Sequence, residues 1–260
     1  MARGKKIGIF LAVLAALVVI AGVIVLFVAK QFVAQEHAVR SVWRVDVGEL
    51  LGQDEELELE FCQAALESDL TVIQLVPFEV DQEGFTYYDT SVQERLAQAL
   101  EHAKHGWNAE WSADAPLAVL NPFGTGSNAL YLYFETELST QVRYTVHVDD
   151  PDIPDFTATA AHADGSAYSK THEFQLIGLV PGETNQVTLT ITGSWGNIRQ
   201  QVTFSITMPE AYSGYPTRLE YTDGESTAAL SDGLFAMMRV NGYLGYGFFF
   251  DNSGILRYEM

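Results

Sequence analysis

The fold is decided by residues 121–148, which read NPFGTGSNALYLYFETELSTQVRYTVHV. Over 129–135, leucine and phenylalanine alternate with tyrosine and glutamate; over 141–148, valine and tyrosine alternate with polar residues. A period of two places successive side chains on opposite faces, so each segment predicts a strand with one buried and one solvated face. The polar piece Glu137–Thr140 fits the loop of an antiparallel hairpin. The predicted buried residues are Leu130, Leu132, Phe134, Val142, Tyr144, Val146 and Val148.

Further short strands follow on both sides of this stretch. They are separated by turn-rich pieces such as Pro181–Asn185 and Gly193–Asn197. Seven short strands in about 95 residues predict an immunoglobulin-like β-sandwich over residues 115–209, within a mainly β protein. The additional predicted strands are Leu117–Leu120, Phe156–Ala160, His172–Leu179, Gln186–Thr192 and Gln201–Met208.

The N-terminus carries one long apolar run. Residues 7–29 form 23 consecutive positions without a charge, preceded by Arg3, Lys5 and Lys6. A helix of about 20 apolar residues crosses a bilayer, whereas the core of a cleaved signal peptide is only about 7–15 residues long. We predict that residues 1–29 are a cytoplasmic tip and a transmembrane signal anchor. The positive N-terminus predicts a single-pass protein of the cell membrane, with everything after Lys30 outside it.

Residues 30–114 predict a small α/β region next to the membrane. Its clearest element is a helix over Ser91–Trp107, where Ser91 and Glu94 form a capping box. The acidic run Asp54–Glu60 indicates a solvated face, and calcium binding is the alternative interpretation. The other predicted elements are a segment Gln31–Leu51 of irregular helical character, in which Val45–Val47 could be extended, a short helix Phe61–Glu67 and a strand within Asp69–Val80.

Composition limits the partners. Beyond residue 30 the chain carries 10 basic and 34 acidic side chains, a net charge of −24. Such a surface repels nucleic acid, which we exclude as a partner, and it repels anionic lipid headgroups. The single cysteine, Cys62, cannot form an internal disulfide, and we interpret it as a small buried hydrophobe.

No residue is assigned a catalytic, cofactor-binding or metal-binding role. His102 and His105 lie three apart on the predicted helix and could share a metal, but no third ligand is fixed by spacing. We expect both to be solvated. The three histidines of the predicted sandwich, which are His147, His162 and His172, are all expected on the surface.

The C-terminus predicts a separate β unit over residues 210–260. Leu234–Val240, Tyr243–Phe250 and Ile255–Tyr258 have strand character, and Asp251–Gly254 is a turn signal. A sheet that ended here would expose an apolar edge at Phe248–Phe250, which natural proteins avoid. We therefore expect this hairpin to dock on the sandwich or on a partner, or further chain to follow it.

Four segments together resemble the N-terminal part of bacterial aryl-sulfate sulfotransferases. They are NPFGTGSNALYLYFET, RYTVHV, GLVPGETNQVTLTI and GYGFFFDNSGILRYEM, within about Pro116 to Met260. The third also resembles the Pro-Gly turn of fibronectin type III domains, with Asn185 at the place of the corner tyrosine. The resemblance implies an immunoglobulin-like domain before a large β-propeller, and transfer of a sulfuryl group from a phenolic sulfate to a phenol through a sulfated histidine.

Only an incomplete propeller blade is present in these 260 residues, so the resemblance implies a truncated chain that is inactive by itself. Its implied partners are the bilayer through residues 7–29, and a propeller domain or a second copy of the chain; no cofactor is implied. The alternative is a non-enzymatic, membrane-anchored binding or adhesion module, because fold does not fix function. A metal-dependent hydrolase built on His102 and His105 lacks a third ligand.

Overall fold

The computed structural model describes residues 43–46, 58–75, 90–106, 110–126, 128–162, 165–219, 233–241 and 244–260. These residues contain twelve strands and one helix, and all of them belong to one compact unit. The predicted membrane anchor at 7–29 lies outside the described residues. No described helix is long and apolar enough to cross a membrane. The elements are β1 (Trp43–Asp46), β2 (Glu58–Gln63), β3 (Val72–Leu75), α1 (Thr90–Gly106), β4 (Leu117–Leu120), β5 (Leu130–Val148), β6 (Phe156–Thr159), β7 (Ser169–Leu176), β8 (Thr184–Gly193), β9 (Ile198–Thr207), β10 (Phe235–Asn241), β11 (Leu244–Phe250) and β12 (Leu256–Glu259).

The predicted hairpin is one continuous strand that folds back. The first half of β5 pairs with β7, with Leu130 opposite Leu176, and the second half pairs with β8, with Val148 opposite Asn185. A straight strand of 19 residues would span about 60 Å. The chain from Leu176 to Asn185 reaches at most about 32 Å, so β5 must reverse between its halves. The reversal lies near Thr140, where the pairing register shifts.

The predicted hairpin is therefore wrong, because the two halves of β5 do not pair with each other. The prediction that they run in opposite directions is right. The two halves run antiparallel, but they bond to different neighbours and belong to different layers of a sandwich. One layer contains β4, the first half of β5 and β7; the other contains β6, the second half of β5, β8 and β9. All seven residues predicted to be buried are buried, and six of them, together with Phe174, Leu189 and Phe204, belong to one core between the layers.

The outer face of the first layer is not solvated, because α1 covers it. Tyr131 and Tyr133 were expected on the solvated side of β5, but they are 4% and 2% exposed. The apolar stripe of α1 packs on them, and the helix is confirmed within one residue of its predicted bounds. The indole of Trp111 donates to the carbonyl of Lys104 at 3.2 Å, which satisfies one of the free carbonyls at the helix end. The helix residues in this second core are Val92, Leu96, Ala99, Leu100 and Ala103.

Residues 58–75 extend the first layer of the sandwich. β3 pairs in parallel with β4, and β2 pairs with β3, so one sheet continues beyond Leu117–Leu120. The predicted helix at Phe61–Glu67 is wrong, because Phe61–Gln63 lies in β2. Within Gln31–Leu51, the described part is also a strand, β1, which overlaps the stretch Val45–Val47 that the sequence left open as extended. A tertiary pairing partner has overridden weak local helix preference in both segments.

Candidate functional site: the junction with the C-terminal sheet

The three strands β10, β11 and β12 form a separate antiparallel sheet that docks on one end of the sandwich. The amide of Gly178 donates to the carbonyl of Arg257 at 2.9 Å. Ile255 is fully buried against Val148 and Val180. The C-terminal sheet therefore contacts the sandwich through both backbone hydrogen bonds and apolar side chains, and we call this contact the junction.

Arg257 is the largest side chain buried in the junction, with no exposed surface. Its Nε donates to Oδ2 of Asp251 at 2.7 Å, Nη1 donates to the carbonyl of Gly178 at 3.2 Å, and Nη2 donates to the carbonyl of Pro154 at 2.5 Å. The guanidinium also lies 5.6 Å from the ring centre of Phe156. A buried charge is tolerated only when it is paired and hydrogen-bonded, and Arg257 meets both conditions.

Glycine is required where Arg257 meets the sandwich. Gly178 has φ of 99°, a conformation that side chains disfavour. A Cβ added there would lie 2.1 Å from the ring of Phe156. The ring can therefore lie close to the backbone and under the guanidinium only because residue 178 has no side chain.

A second polar link joins β12 to the loop before β5. The amide of Glu259 donates to Oδ1 of Asn128 at 2.7 Å, and Nδ2 of Asn128 donates to the carbonyl of Leu179 at 2.9 Å. Asn128 and Glu259 are both about 1% exposed. The carboxylate of Glu259 accepts hydrogen bonds from the amide and the hydroxyl of Ser213. The amide group of Asn128 thus bridges the two sheets, with each of its ends used once.

The turn that faces the junction is closed by Asn185. Pro181 and Gly182 occupy the two central positions of the turn Val180–Glu183, and Gly182 has the positive φ that this geometry needs. Oδ1 of Asn185 accepts from the amide of Val180 at 2.7 Å, and Nδ2 donates to the carbonyls of Val180 and Glu183 at 3.0 and 2.9 Å. An asparagine side chain therefore closes this turn, at the position where fibronectin type III domains, which this segment resembles, have the corner tyrosine.

The part of the chain on one side of the junction matches a known protein family. Residues 117–209 match the family model of the arylsulfotransferase Ig-like domain. The segment 117–209 belongs to that family. We call it the Ig-like domain; it contains every strand from β4 to β9 and the Asn185 turn, whereas β10 to β12 lie outside the match. Comparison with curated proteins gave no match, and comparison with solved structures gave none either.

Two of the three phenylalanines that were expected to form an exposed apolar edge in β11 are buried in the structure. Phe248 and Phe250 are each 4% exposed and pack with Ala211 and Leu256. Of the three alternatives left open for this hairpin, the structure shows contact with the Ig-like domain. On β10 the side chains of Met237 and Met238 remain exposed.

The histidines of the Ig-like domain differ in their burial. His147 is exposed and lies 2.7 Å from the carboxylate of Asp155, as expected for a surface residue. His172 is fully buried, so its surface prediction is wrong. It lies on the inward face of β7, whereas the next residue, Glu173, faces outward, and its ring centre lies 4.9 Å from that of Phe134 in the core. His162 is half-buried and lies beside it, with ring centres 5.3 Å apart.

The predicted helix histidines and the cysteine do not form a site. His102 and His105 are both exposed on α1, in agreement with their expected solvation. Within the described ranges, no three histidine, cysteine or acidic side chains come close enough together to hold a metal. Cys62 is half-buried rather than fully buried, and Nε2 of Gln74 lies 3.9 Å from its sulfur.

Proposed function

We propose that this chain is the N-terminal, non-catalytic part of an aryl-sulfate sulfotransferase-like protein. In this proposal the Ig-like domain is a scaffold, and residues 210–260 begin the β-propeller that carries the chemistry. The observation behind the proposal is the junction: a second β unit is fixed on the Ig-like domain by buried polar groups. A scaffold needs such a rigid connection, because a displacement of about 1 Å in a supporting element can misplace a catalytic group.

The buried charged groups of the junction support a structural role. Every donor nitrogen of Arg257 contacts a protein acceptor, and Glu259 is held by Ser213. A catalytic group must instead reach a substrate. We therefore assign the sulfuryl transfer of the family to a propeller and not to the residues of the junction, and we propose that the 260-residue chain alone is inactive.

We also propose that residues 7–29 anchor the protein in the cell membrane and place the Ig-like domain outside it. The uncharged length and the preceding basic residues of the N-terminus support this orientation. Fusing a reporter that is active only outside the cytoplasm after Met260 tests it. Activity supports the proposed topology, and activity that appears only with a cytoplasmic reporter contradicts it.

The function is tested by comparing two proteins for release of 4-nitrophenol from 4-nitrophenyl sulfate in the presence of a phenol. One is the purified 260-residue chain, and the other is the product of the natural gene isolated with an antibody to the Ig-like domain. We expect turnover only in a natural product that also carries propeller strands. Turnover by the 260-residue chain would contradict the scaffold role.

The same comparison identifies the alternative. If the natural gene product consists of these 260 residues and shows no sulfuryl transfer, the sulfotransferase proposal fails and a membrane-anchored binding module becomes the better description. A pull-down with the acidic extracytoplasmic part, using cell-wall glycans and surface proteins, would then identify its partner.

A further inference from the structure

The exposed apolar side chains of the Ig-like domain are gathered at one end. Among its described residues, the large apolar side chains that are exposed are Leu138, Tyr168, Trp195 and Ile198. All four belong to the segments 136–140, 165–170 and 193–199, which we call the tip. We propose that the tip inserts these side chains into the interfacial layer of a lipid bilayer.

Strand pairing brings the three segments of the tip together. Thr140, at the reversal of β5, pairs with Ser169 at the start of β7 and with Gly193 at the end of β8. Ile198 pairs with Thr192 across the turn between β8 and β9. The junction lies at the other end of the same strands. The four exposed side chains therefore form one patch, whereas single exposed apolar residues scattered over a surface would need no explanation.

Trp195 is the most exposed member of the patch. It lies in the turn Gly193–Gly196, where the amide of Gly196 donates to the carbonyl of Gly193 at 2.8 Å, and 90% of its surface is exposed. Glycine, asparagine, aspartate and serine favour such turns, and tryptophan adds nothing to the turn geometry. An indole held out by a rigid turn, with almost no contact to its own domain, is available to a second surface.

The chemistry of the tip fits a bilayer interface. Tryptophan and tyrosine are enriched at the level of lipid headgroups, because their rings are apolar at one end and polar at the other. The tip contains one acidic side chain, Glu137, and two basic ones, Lys170 and Arg199; with Asp164, which precedes the second segment in the sequence, the sum is zero. Residues 31–260 together carry a net charge of −24. The tip thus lacks the negative charge by which the rest of the chain repels phospholipid.

The choice of a bilayer over a protein partner rests on the proposed membrane anchor at residues 7–29. Only 13 residues, 30–42, separate that segment from β1, and they span at most about 45 Å. A short tether of this kind gives the domain a high effective concentration at the bilayer, so weak insertion suffices. β1 runs in the same direction as β4, which leads away from the tip, so Trp43 is the end of β1 nearer the tip.

Fluorescence quenching in vesicles tests the proposal. The full chain is reconstituted into phosphatidylcholine vesicles whose acyl chains carry bromine close to the headgroups, and flotation of the vesicles measures its association separately. The emission of Trp195 is the difference between the natural chain and Trp195→Phe. We expect this emission to be about twofold or more weaker than in unbrominated vesicles, because an interfacial indole lies beside the bromine atoms.

Two variants distinguish insertion of the tip from general closeness to the membrane. Trp195→Phe/Tyr212→Trp moves the indole to an exposed position next to Ser213, which bonds to the C-terminal sheet, and its emission should not be quenched. Leu138→Ser/Ile198→Ser removes two exposed apolar neighbours without altering the core, and it should reduce the quenching of Trp195.

The outcomes separate the tip from the anchor. If the chain floats with the vesicles and Trp195 is quenched by aqueous iodide but not by bromine, the tip lies in water; the proposal is then overturned and the anchor stands. Protection of Trp195 from both quenchers would show that a protein surface, of a second copy or of another chain, covers the tip, and would also overturn it. A chain that does not float contradicts the anchor, and this proposal fails with it.

Discussion

Nε of Arg257 donates a hydrogen bond to Oδ2 of Asp251 across 2.7 Å, and the arginine side chain has no exposed surface. Asp251 opens the turn between β11 and β12, and its Oδ1 also accepts from the amides of Ser253 and Ile255. The carboxylate therefore organises its own turn and neutralises the arginine that reaches the Ig-like domain. This pair links the local structure of the C-terminal hairpin to its docking.

Replacing Arg257 should open the junction. Arg257→Ala leaves the carboxylate of Asp251 without its buried cation and removes the donors to Gly178 and Pro154. Breaking a buried pair from one side costs about 3–5 kcal/mol, and we expect a loss of that size in the free energy of unfolding measured with urea.

The control for this prediction is an exposed ion pair between the C-terminal region and the Ig-like domain. Arg218 lies 3.4 Å from Asp152, and both side chains are more than half exposed. Exposed pairs contribute about 0–1 kcal/mol, so Arg218→Ala should have little effect. Equal losses from the two substitutions would show that Arg257 is not buried in the junction.

Asn185 should behave as a structural residue despite its polarity. Asn185→Ala removes three hydrogen bonds and leaves the amide and the carbonyl of Val180 buried without this partner. Each such group costs about 1–3 kcal/mol, so we expect a loss of roughly 2–4 kcal/mol in the free energy of unfolding. The control is Thr188→Val, which removes an exposed hydrogen bond with the hydroxyl of Thr203. It should change the free energy of unfolding by no more than about 0.5 kcal/mol. A loss from Asn185→Ala no larger than that of the control would refute the role of the turn.

Acid should destabilise the Ig-like domain through His172. Burial lowers its folded-state pKa from 6.5 to about 4, so the unfolded chain binds the extra proton first. The contribution to stability is complete above pH 6.5 and is lost as the pH falls towards 4, by roughly 3 kcal/mol. In His172→Gln the slope of unfolding free energy against pH should flatten in this range. An unchanged slope would contradict the prediction, and His147→Gln, at an exposed site, is the control.

Alkali should destabilise the protein through its buried tyrosines. Burial raises the pKa of Tyr131 and, with the hydrogen bond to Glu135, that of Tyr133; burial raises the pKa of Tyr144 to about 12. A raised folded-state pKa stabilises the protein below the ordinary value of 10, and this stabilisation is lost as the pH rises beyond 10. Tyr131→Phe should reduce the alkaline loss measured by urea unfolding. A reduction of the same size from Tyr212→Phe, at an exposed position, would contradict this assignment.

The sequence predicted the inward face of β5 and missed its outward face for one reason. Alternation reports which side chains share a face, but it does not report what covers that face. Leu130, Leu132 and Phe134 face the core between the layers, as predicted. Tyr131 and Tyr133 alternate with them and are buried only because α1, which begins 40 residues earlier, packs over the sheet.

The reversal of β5 and the burial of His172 were hidden for a related reason. A polar segment between two alternating stretches fits a hairpin loop and also fits a fold-back between layers, and only the partners β7 and β8 distinguish the two. His172 has a polar side chain, and the residues next to it in the strand are polar too, so the local sequence does not indicate burial. Its burial depends on Thr136 and Thr140, which the reversal of β5 brings to it.

The central claim is that the C-terminal sheet is fixed on the Ig-like domain, and amide hydrogen exchange measured by NMR tests it most directly. The amides of Gly178 and Glu259 donate across the junction, to Arg257 and to Asn128. If the sheet is docked, both should exchange as slowly as the amide of Leu189 in the core strand β8. Exchange as fast as that of Trp195, in an exposed turn, would show that the sheet is only tethered and would contradict the scaffold.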